Sequence, residues 1–274
     1  MPLLFVVLYS LLSGFFDVLP VSSLAHQAVL QEVFGVDGPL HLFNLFMHLG
    51  SLGALVFASF SSLSALFREQ KMLSLPRRKI QGERKFTYEL RFVKASAVSI
   101  VISTIALLFL RNITNNILLI GVLCIVNGAI VLVPEYVPVG NKTAKHMNQL
   151  DAVAFGLLGG LGVFSGISRI ASMQCYASLR GVDRSRACNW ALLTAIPAIA
   201  VLAFADLLGI FTAGIESISF LTFLSYLLGT GLCFVATFGG VTLIRFLSAK
   251  VGFVGFGYYS IGVGLFTFFL YLTV

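Results

Sequence analysis

The sequence predicts an all-α, polytopic helical membrane protein with two re-entrant helical hairpins, and three observations carry that reading. The 274 residues are 58% hydrophobic and only 11% charged, with a mean hydropathy of +0.98. Soluble domains carry about 25% charged residues. Apolar runs long enough to cross a ~30 Å hydrocarbon core recur along most of the chain. They are continuous, without the short alternating segments of a β-barrel. Finally, two polar islands interrupt apolar segments about half a chain apart: SGFFDVLPVSSLAHQ (Ser13–Gln27) and SGISR (Ser165–Arg169).

Taken in order, residues 2–16 form an apolar helix that reaches the first island, and Ala28–Phe34 continues beyond it. Gly35, Asp37, Gly38 and Pro39 make a turn. Phe43–Phe67 is a span whose Gly, Ala and Ser content suits close packing in lipid. Further spans are expected at 93–110, 117–134 and Ala187–Leu208, with two or three more in 217–274. Arg245 and Lys250 are expected to snorkel from span ends, and Asp206 and Glu216 to border a loop. Asp151, Asp183, Arg184 and Arg186 flank the second island as interfacial charges. Each island follows an apolar segment, carries helix breakers and leads into a small-residue span. That is the signature of an inverted repeat with its site between the halves, here about 1–134 and 147–274 of one integral-membrane domain.

Charge fixes the expected orientation. Nine of the 18 Lys and Arg fall in 68–94 against three acids, Glu69, Glu83 and Glu89. In a chain this apolar, such a run reads as a cytoplasmic loop rather than a nucleic-acid surface. The polar connection Glu135–Asp151, with Lys142, Lys145 and His146, falls on the same side by parity. The four cysteines lack paired spacing and read as small buried hydrophobes. No basic leader or cleavage site marks the N-terminus, so the first apolar segment is expected to stay in the mature chain. Asn112-Ile-Thr114 matches a glycosylation sequon by composition alone.

The islands carry the chemistry. Arg169 has no acid within ten residues on either side. A guanidinium at membrane depth is costly and points to function, and its planar donor fork suits phosphate. Gly166, Ser165 and Ser168 add donors in an anion-binding nest. The structural alternative is a pair between Arg169 and a distant carboxylate such as Asp17. On a helix, Ser22 and Ser23 share a face with His26, which is open to roles as nucleophile, general acid or metal ligand. Asp17 either holds a divalent cation or orients His26. His48 lies inside a span, where packing and a supporting polar role are equally compatible.

At these residues the chain resembles the bacterial undecaprenyl-diphosphate phosphatases, a family linked to bacitracin resistance. The resemblance runs through DVLPVSSLAH (Asp17–His26), FNLFMHLGSLGALV (Phe43–Val56), MNQLDAVAFGLLGGLGVFSGISR (Met147–Arg169) and the Ile196-Pro197 helix. It implies a multi-pass enzyme of the bacterial plasma (inner) membrane, often a homodimer, with its site toward the outer face. The implied reaction removes one phosphate from a C55 isoprenoid diphosphate, returning the lipid carrier for cell-wall recycling. A divalent cation, Mg²⁺ or Ca²⁺, and an inverted repeat with two re-entrant hairpins are implied with it. By position, Ser23, His26 and Asp17 are the expected catalytic set, with Asp17 also the expected metal ligand. Arg169 and Ser168 match the phosphate-binding motif, joined by Gly166 and Ser22 from the residue reading. The family's E-x-x-x-E pair is represented by Ser13 and Asp17, and its PG-x-SRSG by SGISRIA, with Ser165, Ile170 and Ala171 replacing Pro, Ser and Gly. These departures leave a second expectation open: a non-hydrolytic polyprenyl-phosphate binding or transport protein of the same fold.

Overall fold

A computed structural model describes residues 2–74, 87–111, 116–213 and 218–273. Glu83 with much of the basic run, the Asn112 sequon, Asn115 and Glu216 lie outside the described residues. The described chain folds into α1 (Leu3–Asp17), α2 (Ser23–Phe34), α3 (His41–Ala58), α4 (Phe60–Ser74), α5 (Thr87–Leu108) and α6 (Ile117–Leu132). It continues with α7 (Gln149–Gly160), α8 (Arg169–Leu179), α9 (Arg184–Ala213), α10 (Phe220–Lys250) and α11 (Val254–Thr273). Six helical segments among the described residues are long and apolar enough to cross a membrane: α3, α5, α6 with the 3-10 turn that extends it to Tyr136, α9, α10 and α11. The fold is all-α and polytopic, as predicted.

Two helix pairs are too short to cross. Helices α1 and α2 have 15 and 12 residues, and α7 and α8 have 12 and 11. At 1.5 Å per residue these reach about 17–22 Å, short of a ~30 Å core. Pro20 and the Ser22 cap end one helix and start the next, so the chain turns back; Gly162 to Ser168 does the same in the second pair. A hairpin followed by three spans therefore occurs twice. The first helix of each hairpin packs on a span of the other half, α1 on α10 and α7 on α5, while α6 pairs with α11 and α3 with α9. At the closest approaches, a Cβ on Gly14 would lie 2.3 Å from the Cys233 carbonyl oxygen, and one on Gly156 2.3 Å from that of Ser96. Only glycine lets the backbones meet there.

Ion pairs gather the ends of the helices on the basic side. Arg186 pairs with Glu89 at 2.8 Å, Arg184 with Glu135 at 3.1 Å, and Arg180 with Asp151 at 2.8 Å. The second hairpin thus opens toward the basic loop. The first opens the opposite way, where the Tyr9 hydroxyl donates to Asn44 at 2.6 Å near the start of α3. Arg245 does more than snorkel: it donates to the Ala58 carbonyl at 2.8 Å and the Ser59 hydroxyl at 3.3 Å. It caps the end of α3, and the span expected to run to Phe67 stops at Ala58.

Asp151 closes the base of the second hairpin. Its carboxylate caps α7 through the Asn148 amide and accepts from the Tyr176 hydroxyl at 2.9 Å and from Arg180. Burial pushes its pKa up, but the Asn148, Tyr176 and Arg180 donors outweigh this and hold it below the usual carboxylate value. A depressed folded value means stabilisation that is complete at neutral pH and lost as pH falls through it. Asp151→Asn is expected to lower the melting temperature at pH 7 and to flatten the loss of stability as the pH falls into the acid range. Melting curves of both proteins across that range check this; parallel curves would remove Asp151 from the acid limb.

Candidate active site

The tips of the two hairpins meet in the interior, and their contacts are reciprocal. Ser22, the N-cap of α2, accepts from Ala25 N at 3.3 Å and from Gly166 N of the other hairpin at 2.9 Å. Ser168, the N-cap of α8, accepts from Ala171 N at 3.3 Å and donates its hydroxyl to the Leu19 carbonyl at 2.9 Å. Each tip serine therefore caps its own helix and braces the opposite hairpin. Gly166 makes the turn with φ at +119°, and a Cβ there would meet that of Leu123 at 2.4 Å.

Between the tips lies a cavity of about 10 Å³, lined by Asp17, Ser22, Ser23, Ser168 and Arg169 with apolar Phe16, Val21, Leu24 and Ile167. It holds about one water. Arg169 Nη1 lies 3.6 Å from Asp17 Oδ1, and both side chains are buried. That is beyond ordinary hydrogen-bond range, and Arg169 Nη1 and Asp17 Oδ2 have no hydrogen-bond partner. The helix starts of α2 and α8 turn their positive dipole ends toward the same point. Asp17 ends α1, where the dipole disfavours an acid. The arrangement sets two helix N-termini and an arginine, all positive, against a single carboxylate that lies 3.6 Å from the guanidinium.

Five of the seven predicted residues, Asp17, Ser22, Ser23, Ser168 and Arg169, line this cavity. Gly166 and His26 stand behind it. The Gly166 N–H, expected as a phosphate donor, is taken by Ser22 in this conformation. His26 packs against Phe16 with ring centroids 4.1 Å apart and the planes tilted by 33°. Its Nδ1 lies 2.6 Å from the Ser22 carbonyl, which can only accept, so Nδ1 carries the proton. In the neutral ring Nε2 is then the acceptor, and the Tyr259 hydroxyl, 2.9 Å away, donates to it. Ser13, at the first acid position, has its hydroxyl bonded by Gln27 at 2.8 Å, and its carbonyl accepts from Ser23 at 3.2 Å.

Sequence reasoning missed three residues. Asn127, fully buried in α6, accepts from Ser168 N at 2.8 Å and donates to the Pro20 carbonyl at 3.2 Å and to the Ser260 hydroxyl at 3.1 Å. It ties both tips together; a lone amide in an otherwise apolar span was its available signal. Tyr259, which fixes His26, carries no such signal, because tyrosines near span ends are ordinary. Asp206 does not border a loop. It is buried in α9 and faces two imidazoles, His41 Nδ1 at 3.1 Å and His48 Nε2 at 3.3 Å. Asp206 and His41 line a cleft of about 720 Å³ on the side away from the basic loop, and its inner wall includes Ser165.

The bacitracin resistance protein BacA family matches residues 6–266. The chain belongs to that family. Across the BacA family, it is 28% identical to the undecaprenyl-diphosphatase of Alkaliphilus metalliredigens over 263 residues, covering 94% of each chain. It is 28% identical to the undecaprenyl-diphosphatase of Desulfatibacillum aliphaticivorans, covering 90% of this chain and 89% of that one. The undecaprenyl-diphosphatase of a Nocardioides species is 30% identical over 69% of each.

Proposed function

We propose that this protein is a multi-pass membrane hydrolase that removes the terminal phosphate of an undecaprenyl-class diphosphate, regenerating the lipid monophosphate for cell-wall recycling. One observation carries the reading: a buried arginine and two helix N-termini converge on a cavity while Arg169 Nη1 lacks a hydrogen-bond partner. The names of the BacA-family relatives support the substrate class. The basic side is read as cytoplasmic, which turns the cleft beneath Asp206 outward in the bacterial inner membrane.

Phosphoryl transfer needs positioning and charge neutralisation more than covalent chemistry. Arriving phosphate draws Arg169 from Asp17, and the Ser22 and Ser168 helix starts stabilise its oxygens. The anhydride P–O bond breaks as a new P–O bond forms to the incoming oxygen, giving lipid monophosphate and, after hydrolysis, inorganic phosphate. Ser23 lies at the cavity wall as the candidate attacking hydroxyl. His26 lies one turn along α2, and its bare Nε2 is able to accept a proton once Tyr259 releases it. Asp17 Oδ2, a buried hard oxygen without a partner, fits a cation that takes one or two carboxylates and completes its shell with substrate phosphates. Asp17 would hold Mg²⁺ or Ca²⁺, and the ion would neutralise phosphate charge. Asp17→Asn is expected to abolish cation-dependent thermal stabilisation in the presence of a non-hydrolysable diphosphate lipid.

Phosphate release from undecaprenyl diphosphate, with Mg²⁺ or Ca²⁺ and with EDTA, tests the whole reading. His26→Ala is expected to reduce turnover by 10²–10⁴-fold, the usual contribution of acid–base catalysis, and to leave lipid binding intact. Tyr259→Phe should shift the pH profile with little change in binding. Tight lipid binding without release would assign the fold to carriage of the lipid.

A further inference from the structure

We propose that the groove between α5 and α7 binds an anionic phospholipid from the leaflet on the basic side of the protein. The groove arises from the way the two helices touch. Ser96, Ser99 and Ser103 of α5 donate to the carbonyls of Ala152, Val153 and Leu157 of α7 at 2.9, 2.7 and 3.3 Å. Hydroxyls engaged with backbone draw the helices together over small residues. The floor is therefore shallow-chained (Ala95, Ser99, Ala152), while Val98, Ile102 and Leu157 stand up as exposed apolar walls. The space enclosed is about 950 Å³.

One end of the groove is basic. Arg91, Lys94 and Lys145 line it, and the described lining contains no acid. The neighbouring acids are engaged elsewhere, Glu89 with Arg186 and Asp151 with Arg180. From Tyr88 to Ile102 the wall rises about 21 Å along α5. That depth matches a headgroup plus one leaflet of a ~30 Å core, and is too short for an extended C55 chain. Three cations at the headgroup level above an apolar slot of one leaflet's depth complement a phosphate-bearing glycerolipid, and basic pockets on the cytoplasmic side are the kind that take anionic headgroups. The phosphate rests against Arg91, Lys94 and Lys145, and one acyl chain lies along Val98, Ile102 and Leu157.

The protein contains its own reporter. Trp190 is the single tryptophan, 1% exposed, and its ring lies 4.4 Å from Phe92, a groove-lining residue. In nanodiscs of matched total bromine, phosphatidylglycerol brominated on its acyl chain should quench Trp190 at lower mole fraction than brominated phosphatidylcholine. Lys145→Gln, an exposed change, should raise the half-quenching mole fraction about fivefold, and the Arg91, Lys94 and Lys145 triple to Gln about a hundredfold. Ala95→Phe should erase the preference by filling the floor. Equal quenching by both lipids, or an unchanged Lys145→Gln protein, would overturn the proposal. Relief of quenching by undecaprenyl monophosphate at lower concentration than by unlabelled phosphatidylglycerol would also overturn it, assigning the groove to the reaction product. Each outcome is read by fluorescence alone and is separable from loss of phosphate release.

Discussion

Replacing Arg169 with alanine is expected to abolish measurable phosphate release and to weaken capture of the diphosphate lipid. A preorganised donor to developing phosphate charge is worth about 10²–10³-fold in rate. Arg169 supplies a full charge and a planar fork, so the loss should reach the upper end of that range. The same change leaves Asp17 as a buried carboxylate without its cation, a defect that costs about 3–5 kcal/mol where it has been measured. Stability and activity therefore fall together in Arg169→Ala. The double change Asp17→Ala with Arg169→Ala should regain stability and stay inactive. Arg169→Lys keeps the charge but not the bidentate geometry and should recover binding only in part. Phosphate release and melting temperature measured on the three proteins decide the matter. A fully active Arg169→Ala protein would remove the arginine from the site.

Replacing Asn127 with leucine should be nearly as damaging by another route. The Ser168 N–H and the Pro20 carbonyl both depend on its amide. Each buried group left without a partner costs about 1–3 kcal/mol, so a total loss of about 2–6 kcal/mol is expected. Turnover should fall further than unfolding explains, because a displacement of about 1 Å between reacting groups can cost 10²-fold. Asn127→Asp keeps the acceptor for Ser168 N and loses the donors, and should fall between. Melting temperature beside turnover at a temperature where all variants are folded measures both parts. A Leu variant that melts like the parent would show that the tips hold together without the amide.

Asp17, Ser22, Ser23, Ser168 and Arg169 were legible in the sequence because polar groups at membrane depth are costly and stand out against apolar flanks. Their convergence across about 150 residues followed from two broken helices in matching positions. What was not legible was mostly pairing. His26 looked aimed at the site, yet its proton is fixed by its own helix turn and its free nitrogen by Tyr259, 233 residues away. Asp206 looked like a loop acid because a lone carboxylate near a span end is usually one; two histidines from α3 change its setting. The break at Ser59 was hidden for the same reason, since the arginine that caps α3 comes from α10. A local reading finds the residues that are out of place and misses the distant ones that make their places tolerable.

The meeting of the hairpins has a consequence for the cell's energy supply. A column of polar residues that runs from an open cleft toward the opposite face would conduct protons and discharge the membrane. Here the cavity at the tips admits about one water, and apolar Phe16, Val21, Leu24 and Ile167 share its lining with the polar groups. The half-helices approach from opposite sides and stop against each other, so their polar ends form a dead end rather than a wire. Vesicles carrying the protein are therefore expected to hold an imposed proton gradient as long as protein-free vesicles do.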